Sequence, residues 1–156
     1  MPKIDLDNVE SWTGSTYPEP YASQMGGRSF QGLGDAAGLT QFGVNLVTMP
    51  PGATSSLRHW HSGEDEFVWM VSGELVLVQD GGETVLGAGD AAGFKAGDPD
   101  GHHLQNRSTA QASFLAIGTR EGSDTCTYSD VDLINRTEGK RNWFTLRDGT
   151  FVKEAS

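Results

Sequence analysis

Residues 58–66 read RHWHSGEDE. His59 and His61 are separated by one residue, and Glu66 follows five positions after the second. Neutral imidazole and carboxylate are donor types that together hold a divalent transition ion. In an extended chain successive side chains alternate faces, so His59 and His61 point the same way and Trp60 points away. Glu66 has the wrong parity for a straight continuation. The stretch Ser62-Gly63-Glu64-Asp65 is turn-rich, however, and a bend there returns Glu66 toward the histidines. Glu64 and Asp65 then read as solvated turn acids.

A further imidazole lies in GDAAGFKAGDPDGHHLQN. His102 and His103 are adjacent, so on a strand only one of them faces inward. His102 is the favoured one, with His103 as its substitute. All four histidines of the chain fall in these two stretches. The expected set is His59, His61, Glu66 and His102. Three imidazoles and one carboxylate suit a single divalent transition metal, with Zn, Mn, Fe and Ni all admissible. Four protein ligands on an octahedral ion leave two positions open. A hydroxy-carbonyl compound could chelate there, which makes isomerisation one chemistry; on Fe(II), dioxygen plus a bidentate substrate is another. Isomerisation also needs a base, for which Glu64, Asp65, Asp98, Asp100 and a metal-bound hydroxide are the candidates, with none standing out. For a phosphorylated sugar the candidate cations near these stretches are Arg28, Arg58, Lys95 and Arg107, and Arg58 shares the outward parity of Trp60.

The elements that must position these residues read as strands. LTQFGVNLVTM (39–49) alternates apolar and polar residues. FVWMVSGELVLVQDGGETVLGAGDAAGF (67–94) is a run of short strands cut by Gly-rich turns, with a hairpin at DGG. From Glu66 onward, Val68 and Met70 are expected on the site face, and Phe67, Trp69 and Val71 on the other; both faces are apolar, so this strand is expected to be buried on both sides. QASFLAIGT (111–119) is another strand, and WFTLRDGTFV (143–152) a hairpin around Asp148-Gly149. DVDLINR (130–136) reads as at most one short helical turn. The recurrence of turn signals indicates an all-β sandwich or barrel.

The chain has 156 residues, the length of one domain, and a formal charge of −10. That charge disfavours nucleic acid and anionic membrane as partners. Cys126 is the single cysteine and reads as a plain buried thiol. The N-terminus lacks an apolar signal segment, and no run reaches membrane-spanning length, so a cytoplasmic location is expected. The expected organisation is a single domain over 1–156. It comprises an extended N-terminal arm (1–36) packing through Trp12, Tyr17 and Tyr21, a barrel core (37–120) and a C-terminal extension (121–156).

The motifs resemble those of the cupin superfamily. The first cupin motif corresponds to Gly52, His59, His61, Glu66 and Gly73, and the second to Gly89, Asp90, Gly97, His102 and Asn106. Two departures occur in the second: Lys95 replaces the usual Pro, and Asp98-Pro99-Asp100-Gly101 puts four residues before the His rather than two. The longer loop leaves the choice between His102 and His103 open. The resemblance implies a double-stranded β-helix (jelly-roll) barrel with a divalent metal held by the four matched residues. The chain looks like small single-domain bacterial cupins assigned as sugar phosphate or mannose-6-phosphate isomerases. A metal-dependent sugar or sugar-phosphate isomerase is therefore the first functional expectation. An Fe(II)-dependent dioxygenase and a non-catalytic, metal-dependent small-molecule binding or sensor protein are the alternatives. The family also implies a homodimer and a small-molecule substrate or ligand.

Overall fold

The computed structural model describes residues 3–120 and 122–155. Met1, Pro2, Glu121 and Ser156, at the limits of the expected arm and extension, lie outside the described residues. In chain order the strands are β1 (Ser11–Thr13), β2 (Ser29–Gly32), β3 (Phe42–Met49), β4 (His59–His61), β5 (Glu66–Ser72), β6 (Glu74–Gln79) and β7 (Gly82–Gly87). There follow β8 (Ala91–Phe94), β9 (His103–Gln105), β10 (Ala112–Thr119), β11 (Ser123–Tyr128), β12 (Ile134–Glu138), β13 (Arg141–Thr145) and β14 (Phe151–Glu154). One four-residue helix, Leu33–Ala36, follows β2. The all-β jelly-roll architecture expected from the sequence is the one observed.

The strands form a six-stranded sheet (β1-β2-β3-β10-β5-β8), a five-stranded sheet (β14-β13-β12-β11-β4) and a three-stranded sheet (β7-β6-β9). All pairings among the described residues are antiparallel, both across short turns, as in β6–β7, and between strands distant in the chain, as in β3–β10 and β5–β10. The five- and three-stranded sheets meet at a seam, where His59 and His102 exchange backbone hydrogen bonds of 3.1 and 2.9 Å. The six-stranded sheet supplies the other wall of the main core. Val47, Met49, Val68, Met70 and Phe114 from that sheet pack against Leu75, Leu77, Leu86 and Leu104. A second cluster, Cys126, Tyr128, Leu133 and Phe144, lies under the five-stranded sheet and is covered by Tyr17 and Tyr21.

Gly73 connects β5 to β6 with φ +75°, and a Cβ there would lie 2.7 Å from Ala112 Cα and from Gln111 O. Only glycine fits both the backbone conformation and the close approach. Asn106, the last residue of the second motif, is buried and donates to Met49 O (2.8 Å) and Ala110 O (2.9 Å). It fixes the loop after β9 rather than facing the histidines.

The structure departs from sequence expectations in four places. The strand from Glu66 is not buried on both sides: Phe67, Trp69 and Val71 are 41%, 45% and 48% exposed, while Val68 and Met70 are buried. Within β5 apolar composition thus reported strand propensity, and burial follows only from what packs on each face. The segment 130–136, read as a helical turn, begins as a bend and runs into β12, because Ile134 and its successors pair with both β11 and β13. The N-terminal arm packs through its aromatics as expected, with Trp12 stacked on Phe30 at 4.5 Å and Tyr17 edge-on to Tyr128 at 5.4 Å. It is not merely extended, since β1 and β2 continue the six-stranded sheet. Finally, residues after 121 are barrel wall: β11 pairs directly with β4, the strand that carries His59 and His61.

Candidate metal centre

His59 and His61 lie on β4 with alternate-residue spacing and face the barrel interior, as the period of two dictates. Glu66 opens β5, which belongs to the opposite sheet. The chain bends at Ser62–Asp65 and crosses between sheets there, which resolves the parity problem. The Glu66 carboxylate lies between the imidazoles. Oε2 is 2.5 Å from His102 Nε2 and 3.5 Å from His59 Nε2, and Oε1 is 3.0 Å from His61 Nε2. The structure therefore brings His59, His61, Glu66 and His102 to one point. His103, the substitute, is directed elsewhere: its Nδ1 donates to Ser56 O at 2.8 Å.

Each ring is oriented from behind. His59 Nδ1 donates to Leu57 O at 2.9 Å, a bond that turns Nε2 toward Glu66. His61 Nδ1 donates to Asp124 Oδ2 at 2.6 Å. The ring of His102 stacks parallel on Phe94 at 3.6 Å, and its buried Nδ1 has no partner among the described residues. With Nδ1 bonded in His59 and His61, and three Nε2 atoms around one carboxylate, the donor set fits a borderline divalent cation. Cys126, cross-strand partner of His61, is buried near the same rings, and burial pushes its thiol well above the usual range.

The electrostatics follow from this packing. Burial would raise the Glu66 pKa, but hydrogen bonds from His102, His59 and His61 outweigh it and hold the carboxyl well below its ordinary range. Burial would lower the His61 pKa, yet its bonds to Asp124 and Glu66 raise it to about 10. His102 is held below its ordinary value, chiefly by burial.

The cluster opens into a cavity of about 470 Å³, lined in part by Asn45, Val47, Glu64, Phe114 and Arg120. That volume suits a small organic ligand. Glu64 is not the solvated turn acid expected: it lines the cavity, and burial followed by the charge of Asp124 raises its pKa. Asp65 accepts from Ala96 N–H, Asp98 from Asp100 N–H, and Asp100 from Asp80 N–H. Of the four acids considered as bases, Glu64 alone lines this cavity among the described residues. Arg58 faces away, as expected, and pairs with Asp80 and Asp130. Arg107 pairs with Glu83 at 2.7 Å on the surface.

Two residues at the site were missed in the sequence. Arg120 lines the cavity while pairing with Asp35 at 2.7 Å. Asp124 is 63 positions from His61, and nothing in the local pattern SDTCTY distinguishes it. A carboxylate on an inward-facing strand position was the only available signal.

Comparison with known proteins agrees with this architecture. The family described as Cupin domain matches residues 45–118. A crystal structure from Silicibacter pomeroyi DSS-3, described as a sugar phosphate isomerase from a cupin superfamily, aligns with TM-score 0.94 and 50% identity over 97% of each chain. A provisionally named sugar phosphate isomerase from Acidithiobacillus ferrooxidans ATCC 23270 aligns with TM-score 0.74 and 27% identity over 81% of each chain. A Thermotoga maritima protein predicted to be an oxalate decarboxylase shares the fold, with TM-score 0.62 and 21% identity over 76% of this chain and 99% of its own. No curated protein matches the sequence.

Proposed function

The chain belongs to the cupin superfamily, and on that footing we propose that it is a divalent-metal-dependent enzyme that isomerises a sugar or sugar phosphate. The observation that carries this reading is the convergence of three imidazole Nε2 atoms on the Glu66 carboxylate at the wall of a ligand-sized cavity. The name carried by the Silicibacter pomeroyi relative supports the substrate class.

In this reading His59, His61, Glu66 and His102 hold the ion. A bound divalent cation supplies Lewis acidity, polarising a carbonyl or hydroxyl oxygen. The protein residues do the rest. Leu57 O and Asp124 fix the ring orientations of His59 and His61. Glu64 offers a carboxylate on the cavity wall to which a substrate proton can pass, and Asn45 offers an amide for hydroxyl groups. Val47, Phe114 and Phe94 line the other side and exclude water.

The test is elemental mass spectrometry of protein purified without added metal, followed by NMR assay of aldose–ketose conversion on phosphorylated and free sugars. Zinc, manganese or nickel near one per chain together with turnover supports the isomerase. Iron with oxygen consumption replaces it by the dioxygenase. Metal binding with neither activity leaves a binding or sensor protein.

A further inference from the structure

Arg28 lies outside the histidine cluster and is the one buried arginine among the described residues, only 6% exposed. Its Nε donates to Ser55 O at 2.5 Å and its Nη1 to Gly14 O at 2.9 Å. The guanidinium sits 4.8 Å over the Phe30 ring. No described carboxylate lies within ion-pair distance of it, whereas Arg58, Arg107, Arg120 and Arg141 are all paired. Burying a charge without a counter-ion is costly, and two carbonyls satisfy only part of a five-donor group. Its Nη2 donates to no described residue, yet it is not among the sealed, partnerless atoms. It therefore retains access to the space beside it.

That space is a cavity of about 280 Å³, lined by Arg28 with Trp12, Tyr17, Tyr128, Asn142 and Phe144 among others. In a chain of net charge −10, no described carboxylate lines it. Burial raises the Tyr17 pKa to about 12, so that hydroxyl stays neutral and does not serve as the missing anion. The cavity adjoins the metal centre. Asn135 and Asn142 line both spaces. Ser55 and Phe30, which hold Arg28, also line the metal cavity, and the Tyr128 ring is 6.2 Å from that of His59.

We propose that the Arg28 cavity is an anion subsite that takes the phosphate of a phosphorylated substrate whose polyol end reaches the histidine centre. The planar guanidinium fork matches phosphate oxygens, and the surrounding hydroxyls and amides are neutral. For the occupant of the histidine centre this rests on the isomerase reading; for the anion it rests on Arg28 alone.

The experiment is calorimetric titration of inorganic phosphate into the full metal-loaded chain, with chloride at matched ionic strength as the control. The native protein is expected to bind phosphate saturably and chloride not at all. Arg28→Lys keeps the charge and loses the fork, and is expected to weaken binding at least about tenfold. Asn142→Asp leaves the hydrogen bonds of Arg28 in place, adds a negative charge to the shared wall, and is expected to abolish binding; it carries the test if Arg28→Lys does not fold. His61→Ala is expected to lose metal and keep phosphate. Unchanged affinity in Arg28→Lys and Asn142→Asp, or phosphate binding lost only in His61→Ala, overturns the subsite and leaves the isomerase reading standing. Arg28-dependent phosphate binding in a protein without sugar-phosphate turnover keeps the subsite and removes the isomerase.

Discussion

Asp124 Oδ2 lies 2.6 Å from His61 Nδ1, on the side of the ring opposite the nitrogen that faces Glu66. The other carboxylate oxygen, Oδ1, accepts from Gly63 N–H at 2.9 Å. An ionised carboxylate only accepts, so His61 donates from Nδ1, and Nε2 is the nitrogen that would lose its proton to bind an ion. In Asp124→Asn the amide oxygen stays with Gly63 N–H and the amide nitrogen turns to His61. That arrangement favours the tautomer with the proton on Nε2, which cannot ligate. Metal affinity is expected to fall by about 10–100-fold with the fold intact. Competition titration against a chromophoric chelator measures the loss, and nitrogen-15 NMR of the imidazoles reports the tautomer. Unchanged affinity together with an unchanged tautomer contradicts the role given to Asp124.

The adjacent histidines give a paired prediction. His102 Nε2 meets Glu66, and His103 is tied to Ser56 O. His102→Gln is expected to strip most of the metal, while His103→Gln keeps close to one ion per chain by elemental analysis. The reverse pattern would place the wrong imidazole at the centre.

Met70 is fully buried on β5, between Glu66 and the turn at Gly73. Met70→Ala leaves a cavity in the main core and is expected to cost about 2–5 kcal/mol. Urea unfolding of the native protein and the variant provides the comparison. A loss below about 1 kcal/mol would mean that the core collapses into the space.

Phe67, Trp69 and Val71 form an exposed apolar row on the outer face of β5. Such a row is expected to be covered by a second copy of the chain. Sedimentation equilibrium is expected to give the mass of two chains, and Trp69→Ser the mass of one. A single-chain mass for the native protein removes the dimer.

The parts of this molecule that could be read from sequence are those governed by neighbouring residues. The period of two placed His59 and His61 on one face. The DGG turn joined β6 to β7, and Asp148-Gly149 joined β13 to β14. Asp124 could not be found that way, and Arg28 could be named only as one of four cations near the motifs, with nothing to set it apart from Lys95 and Arg107. The roles of Asp124 and Arg28 arise from β11 pairing with β4, and from Arg28 reaching Ser55 O across 27 positions, both long-range events without a local pattern. The outer row of β5 misled because aromatic and β-branched residues suit a strand whether or not its face is covered. Glu64 misled because turn acids are ordinarily solvated, and here the turn folds over a cavity.

The seam between the five- and three-stranded sheets has a consequence for the whole barrel. His59 and His61 stand on one side of it, His102 on the other, and Glu66 comes from the six-stranded sheet facing both. An ion gripped by these four residues would rivet all three sheets at a single point and staple residue 59 to residue 102 across the closure. Metal supply would then act on the mechanical integrity of the protein as well as on its chemistry, since a chain starved of the ion is a barrel with its fastener undone.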